Sequence, residues 1–325
     1  MNPHDKNPST SLPDRLSATT VRSLMQVPFA LVNLKDGLEN GLGLSRLHSV
    51  FAGYAATGVR PTLMAINEAR WRLPRGIHAR EALDIFENLF GGGPYEIEIG
   101  DIERSNNPPA LVWDTQVWRL VEESVAQTDH HRWGRNTWTL TTREPHNAAL
   151  RIHIPHFDYA SGTRRLMEAE ILASQTGGFF PMVVAGDLNS TASGPHLPHR
   201  DYTNVPAHKR RQKGLLLPSG QWVDDTRALD TLIGPWDENT GTRRHTDGCG
   251  LYALAERDWE QRGRPPALLE PTTHTPGSLL IDWILATDRI DVVPGTYRVW
   301  PGDPAHTDHK LITATLTLEE GGHPR

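Results

Sequence analysis

Short apolar runs alternate with amphipathic stretches along most of the chain, and the alternation predicts its elements. Phe29–Val32, Thr62–Ile66, Tyr95–Ile99, Ala110–Trp113 and Trp138–Leu140 have the length and apolar character of strands in the first half. Between them, Leu44, Leu47, Phe51, Tyr54 and Ala55 recur at helical spacing and predict a helix over Leu44–Ala56. A second helix over His78–Phe90 stops at Gly91-Gly92-Gly93. The second half repeats the style, with strands at Ala149–Ile154, Met182–Ala185, Leu279–Ala286 and Lys310–Leu318 and a helix at Thr163–Ser174. Residues 194–275 show no such pattern and are rich in Gly, Pro and His. A stretch of that length is too long for an ordinary connection, so it is expected to carry function or an inserted subregion. Strands interleaved with helices predict a layered α/β or α+β architecture.

The polar residues that interrupt this pattern sit at the strand ends. Asn33 closes the first strand, and Asn67 and Glu68 close the second. His156 follows the strand at 149–154, and the buried run Met182–Ala185 leads straight into Gly186-Asp187-Leu188-Asn189. Asp282 stands inside the apolar run Leu279–Leu285, where an unpaired carboxylate is costly to bury. Thr307-Asp308-His309 precedes the last strand. Carboxylate and amide oxygens are hard ligands suited to Mg²⁺ or Mn²⁺. Imidazoles beside such an ion serve as acid, base or oxyanion donor, which is the equipment for hydrolysing a phosphate ester.

These residues, in this order, resemble the endonuclease/exonuclease/phosphatase superfamily of deoxyribonucleases, abasic-site endonucleases, sphingomyelinases and inositol-phosphate phosphatases. Gly186-Asp187-Leu188-Asn189 after a buried strand and Asp308-His309 before the last strand are the most specific parts. The resemblance runs from about Val27 to Leu318 and implies a four-layer α/β sandwich, two packed mixed β-sheets flanked by helices. It also implies roles. Glu68 would be the principal metal carboxylate with Asn33 beside it, and Asp308 a further carboxylate of the metal site. Asp187 would orient or deprotonate the attacking water, and Asn189 would bind phosphate or metal. His309 would meet the scissile phosphate or act as base, with Asp282 fixing its tautomer. His156 would protonate the leaving group or hold the phosphate. Two positions depart from the family pattern: Thr307 stands where serine is usual, and Asn67 where glutamine is.

Composition narrows the reading further. The chain of 325 residues carries 33 basic and 39 acidic residues, a net charge of −6, so nucleic acid cannot be gripped over its whole surface. A local basic cleft is compatible with that balance. The cluster His208-Lys209-Arg210-Arg211-Gln212-Lys213 fits a contact with a phosphate backbone and an ordinary solvated loop equally well. Trp222, Trp236, Trp259 and Tyr252 could stack on bases, although packing explains most such residues. A zinc site among the 16 histidines has little support, with one cysteine and no His-Glu-x-x-His pattern.

No run approaches the roughly 18–20 apolar residues of a membrane span. Residues 1–22 lack the features of a secretory signal, and Cys249 has no internal partner for a disulfide. The expectation is a cytoplasmic monomer: a loose tail over 1–22, then one domain over 23–325. The first functional reading is a Mg²⁺- or Mn²⁺-dependent phosphodiester hydrolase acting on nucleic acid as endonuclease or exonuclease. The alternatives are a phosphatase or phosphodiesterase acting on a small phosphate ester, nucleotide or lipid headgroup, and a non-catalytic binding module on the same scaffold.

Overall fold

The computed structural model describes residues 24–38, 44–71, 76–102, 105–121, 136–143, 148–274 and 277–319. The predicted tail over 1–22 lies outside the described residues. The first half runs β1 (Leu24–Asn33), α1 (Ser45–Ala55), β2 (Leu63–Asn67), α2 (Ile77–Leu89), β3 (Tyr95–Ile99), β4 (Ala110–Asp114), β5 (Trp118–Leu120) and β6 (Thr137–Thr142). It continues with β7 (Ala149–His153), α3 (Gly162–Ala173), β8 (Met182–Asp187), α4 (Ala207–Lys213), β9 (Gly214–Leu216), β10 (Trp222–Asp224) and α5 (Arg227–Ile233). Then follow β11 (Trp236–Asp237), β12 (Thr242–Arg243), β13 (Leu251–Ala253) and α6 (Leu254–Gln261). The last strands are β14 (Asp282–Thr287), β15 (Ile290–Val292), β16 (Arg298–Val299) and β17 (Ile312–Glu319).

Two large sheets organise these elements. The first has the order β15-β17-β1-β2-β4-β3, with β16 also on β17, and the second has the order β13-β14-β8-β7-β6-β5. Each is antiparallel except for one interior parallel pair, β1 with β2 and β7 with β8. Both are therefore mixed sheets, as expected.

Alternation along the strands assigns the layers. Phe29, Leu31, Leu63 and Ala65 point inward and meet Ile152, Val183, Ala185 and Ile284 of the facing sheet. Their neighbours Ala30, Val32, Met64 and Ile66 point the other way, onto Leu47 and Phe51 of α1 and Phe86 of α2. On the far side, Met182, Val184, Trp283 and Leu285 are covered by Leu172 of α3, Leu229 and Ile233 of α5 and Trp259 of α6. The result is four layers, helix–sheet–sheet–helix. Strands buried on both faces read as continuous apolar runs, which is why β1, β2 and β8 stand out in the sequence.

Residues 194–274 are more ordered than the pattern suggests. They hold α4, α5 and α6, two small hairpins (β9–β10 and β11–β12), and β13, which pairs with β14 at the edge of the second sheet. Strands of two or three residues and helices of seven or eight are too short to show a period. A buried network ties the segment together: Glu256 accepts from His196 Nε2 at 2.9 Å and from Arg243 Nε at 2.7 Å, and His196 stacks on Trp259. Trp236 and Trp259 belong to this packing. No helix among the described residues is long and apolar enough to cross a membrane.

Candidate active site

Five strands deliver their ends to one edge of the sandwich. The parallel pair β1 and β2 finishes in register at Asn33 and Asn67. β8 finishes at Asp187, directly opposite Asp282, the first residue of antiparallel β14. The chain leaving β7 passes Pro155 and forms an isolated parallel bridge between His156 and Asp187. Thr307 ties the approach to β17 onto the same edge by donating its hydroxyl to the Asn33 carbonyl at 2.8 Å.

The side chains converge on Asp187 Oδ2. Asn33 Nδ2 donates to it at 3.2 Å, His156 Nε2 lies 3.5 Å away, and His309 Nε2 lies 3.7 Å away. Glu68 Oε1 turns to the same place, 3.2 Å from Asn33 Nδ2 and 3.8 Å from His156 Nε2. Its other oxygen is held from behind by the Asp36 amide at 2.9 Å and Asn107 Nδ2 at 3.2 Å. Glu68 and Asn189 both adopt left-handed backbone conformations, with φ of 55° and 51°, a strained geometry for residues with a Cβ.

His309 is held on its other face by Asp282, whose oxygens lie 2.8 and 3.0 Å from Nδ1. Asp282 is fully buried and is itself fixed by Thr272 Oγ1, which accepts from the Ile281 and Asp282 amides at 3.1 Å. Burial alone would lower the His309 imidazole, but Asp282 and Asp187 on either side raise it to about 10. The two carboxylates therefore favour its protonated form. Burial alone would raise Asp187, yet the charges of His309, His156 and Lys213 hold its carboxyl below the ordinary carboxylate range.

Asn67 connects the two sheets. Its Nδ2 donates to the Pro155 carbonyl at 2.9 Å and its Oδ1 accepts from the Asp187 amide at 2.8 Å. Gly186 is required by the same closeness, because a Cβ there would come within 2.1 Å of the Pro155 carbonyl oxygen.

The predicted set is thus assembled unevenly. Asn33, Glu68, His156, Asp187, Asp282 and His309 come together. Asn189 lies behind Asp187, donating its amide N–H to Oδ1 at 2.9 Å and its Nδ2 to the Phe157 carbonyl at 3.0 Å. Asp308 turns outward to Lys35 at 3.2 Å. Asn107 and Thr272 carry no recognisable spacing in the sequence, and Asn67 stands out there only as a strand end and a departure from a motif. Lys213 stands out only as one member of a basic cluster. The lysine stands in the site, with Nζ donating to Asn189 Oδ1 and, at 3.0 Å, to its carbonyl. Burial pulls its ammonium down to about 7, while Asp187 favours the charged form.

Oxygen ligands for a divalent ion are present in this set. Glu68 Oε1 and Asp187 Oδ2 are carboxylate oxygens that share two neighbours, Asn33 Nδ2 and His156 Nε2, and such oxygens are hard ligands. Ligand atoms of Asp187, Asp282 and His309 also lie within 4.8 Å of one another. In that trio the Asp282 carboxylate also bonds His309 Nδ1, and His309 Nε2 faces Asp187.

Comparison with solved structures shows a known architecture. An endonuclease/exonuclease/phosphatase from Bacteroides vulgatus superposes with a TM-score of 0.55 at 12% identity, covering 91% of this chain and 100% of its own. The fold is that of the endonuclease/exonuclease/phosphatase structures. A protein so described from Beutenbergia cavernae matches at 0.53 with 16% identity, over 90% of this chain and 72% of its own. The 2',3'-cyclic phosphatase ANGEL2, solved with adenosine-2',3'-vanadate, matches at 0.51 with 15% identity, over 92% and 99%. At these identities the likeness is one of fold. No protein-family model and no curated protein matches the sequence.

Proposed function

We propose that this chain, acting as one domain over 23–325, is a divalent-metal-dependent hydrolase of phosphodiester bonds whose substrate is nucleic acid. The observation that carries the reading is the surroundings of Asp187 Oδ2. Within 3.7 Å it has the amide of Asn33 and the imidazoles of His156 and His309, and Glu68 faces the same amide. That is an anionic ligand pair and two proton-bearing rings at one point. A divalent ion held by Glu68 and Asp187, Mg²⁺ or Mn²⁺, would supply polarisation of a phosphoryl oxygen.

The chain's own residues supply the rest. Asp187, kept ionised, orients the attacking water and accepts its proton as the new P–O bond forms. His309, already protonated and fixed by Asp282, donates a hydrogen bond to a phosphoryl oxygen as negative charge builds there. His156 stands on the other side of Asp187, where it can pass a proton to the leaving oxygen as the old P–O bond breaks.

A second reading, a small phosphate ester as substrate, is favoured by the net charge of −6. One experiment addresses both. Supercoiled plasmid, single-stranded DNA, RNA and a small phosphodiester are each incubated with Mg²⁺, Mn²⁺ or EDTA. Metal-dependent cleavage of a polynucleotide is expected, and Asp187→Ala or His309→Ala should lower turnover by at least about a hundredfold while leaving the protein folded. Turnover of the small ester alone would transfer the assignment to the second reading. Near-wild-type activity in both variants would overturn the site.

A further inference from the structure

Residues 194–275 send one charged side chain into the site from outside the strand ends. Lys213 closes α4, and its position is fixed on two sides. Its carbonyl accepts from the Asp225 amide at 2.9 Å. The next residue, Gly214, lies so close to the Tyr202 ring that a Cβ would come within 2.6 Å of it. The ammonium bonds both oxygens of Asn189. Asn189 cannot turn away, because its Nδ2 is on the Phe157 carbonyl and its amide N–H is on Asp187 Oδ1. A lysine only donates and a carbonyl only accepts, so the two together set the orientation of the Asn189 amide.

Two consequences follow from that geometry. The Asn189 oxygen faces an ammonium, whose positive charge disfavours a metal ion beside it. The ammonium has three N–H bonds, and Asn189 takes two of them. Among the described residues nothing accepts the third, and no carboxylate lies within ion-pair distance of Nζ. Lysine is a point-charge partner for phosphate, and negative charge spreads over the phosphoryl oxygens during transfer.

We infer that Lys213 is the second positive charge of this site: an ammonium, seated on Asn189 behind Asp187, that contacts the substrate phosphoryl group and leaves the chain one divalent-ion place, at Glu68 and Asp187. The inference rests on the phosphoester reading above. It converts the predicted metal role of Asn189 into the seat of a built-in cation, and it gives the 194–275 segment a direct part in the chemistry.

The test reads binding as well as turnover. Equilibrium dialysis of the full chain with Mn²⁺ should give one ion per wild-type chain, lost in Glu68→Gln and kept in Lys213→Met. Calorimetric titration with inorganic phosphate should show binding at least about tenfold weaker in Lys213→Met than in wild type, the scale of one lost charged hydrogen bond. Turnover should fall by about 10²–10³, as when one donor to a developing anion is removed. Lys213→Gln keeps a donor toward Asn189 without the charge, and it should lose phosphate affinity to the same extent. Two Mn²⁺ ions per wild-type chain would overturn the inference. So would wild-type phosphate affinity in Lys213→Gln, which would make the lysine a brace for Asn189. Lys213-dependent phosphate binding in a wild-type protein that cleaves no ester would remove the hydrolase reading and leave the ammonium site standing.

Discussion

Asp282 begins a strand whose next four residues are apolar, has no exposed surface, and holds His309 at 2.8 Å. An anion so placed is tolerable because the His309 ring answers it. Asp282→Asn keeps the shape and removes the charge. The imidazolium then loses one of its two flanking anions and its fixed orientation, so turnover should fall by about 10²–10⁴. Thermal unfolding would show the fold intact, and a variant with full turnover would remove Asp282 from the chemistry. Residues like this one were legible because each interrupts an apolar run or caps a strand. Thr272 was not, and Asn67 was legible only as a strand end, since the work of both is to bond backbone groups of a distant segment, which nothing in local spacing records. Asn189 was legible in position only; that its amide is engaged by Lys213 depends on a helix 24 residues away in the chain.

Between residues and layers lies the strand β8, whose end carries Asp187. It runs parallel to β7, and past the paired stretch the chain stays close enough for Phe157 N–H to bond the Asp187 carbonyl at 3.0 Å. Gly186 permits that approach. Gly186→Ala should destabilise the protein by about 1–3 kcal/mol, the usual cost of overpacking, because neither the strand nor the Pro155 carbonyl can yield freely. Pro155 precedes His156, so the forced displacement also moves a ring of the site. Chemical denaturation and turnover measured together should fall together, and an unchanged denaturation midpoint would contradict the packing argument. The glycine had been read as part of a motif, and its physical reason is this contact. Strands buried on both faces were predicted in place, β2 to within one residue, although only the buried centre of β1 was seen, Phe29–Val32 of Leu24–Asn33. The elements of 194–275 were not, because their burial comes from tertiary partners such as the His196–Glu256–Arg243 network and not from a repeating pattern.

The four-layer arrangement puts titratable groups in very different surroundings only a few residues apart. His156 faces the site, while His153 is packed inside the second sheet, 2% exposed, with Nδ1 2.7 Å from Thr137 Oγ1. Burial drives the His153 imidazole down from 6.5 to about 4. Above pH 6.5 it is neutral in both folded and unfolded chains and has no effect on their balance. Between 6.5 and 4 the unfolded chain binds a proton that the folded chain refuses, so stability falls as the pH falls, by on the order of 3 kcal/mol over the whole window. Glu168 acts in the opposite sense. Burial raises its carboxyl to about 7, and protonation on acidification favours the folded chain between 7 and 4.5. A bulk pH profile mixes the two, so the informative quantity is the difference between wild type and His153→Asn, which keeps a polar partner for Thr137 and cannot titrate. Denaturation at successive pH values should show wild type losing ground to the variant from pH 6.5 downward. Parallel profiles would mean that His153 is hydrated, and that the layer which isolates it from the neighbouring site is less well sealed than its burial indicates.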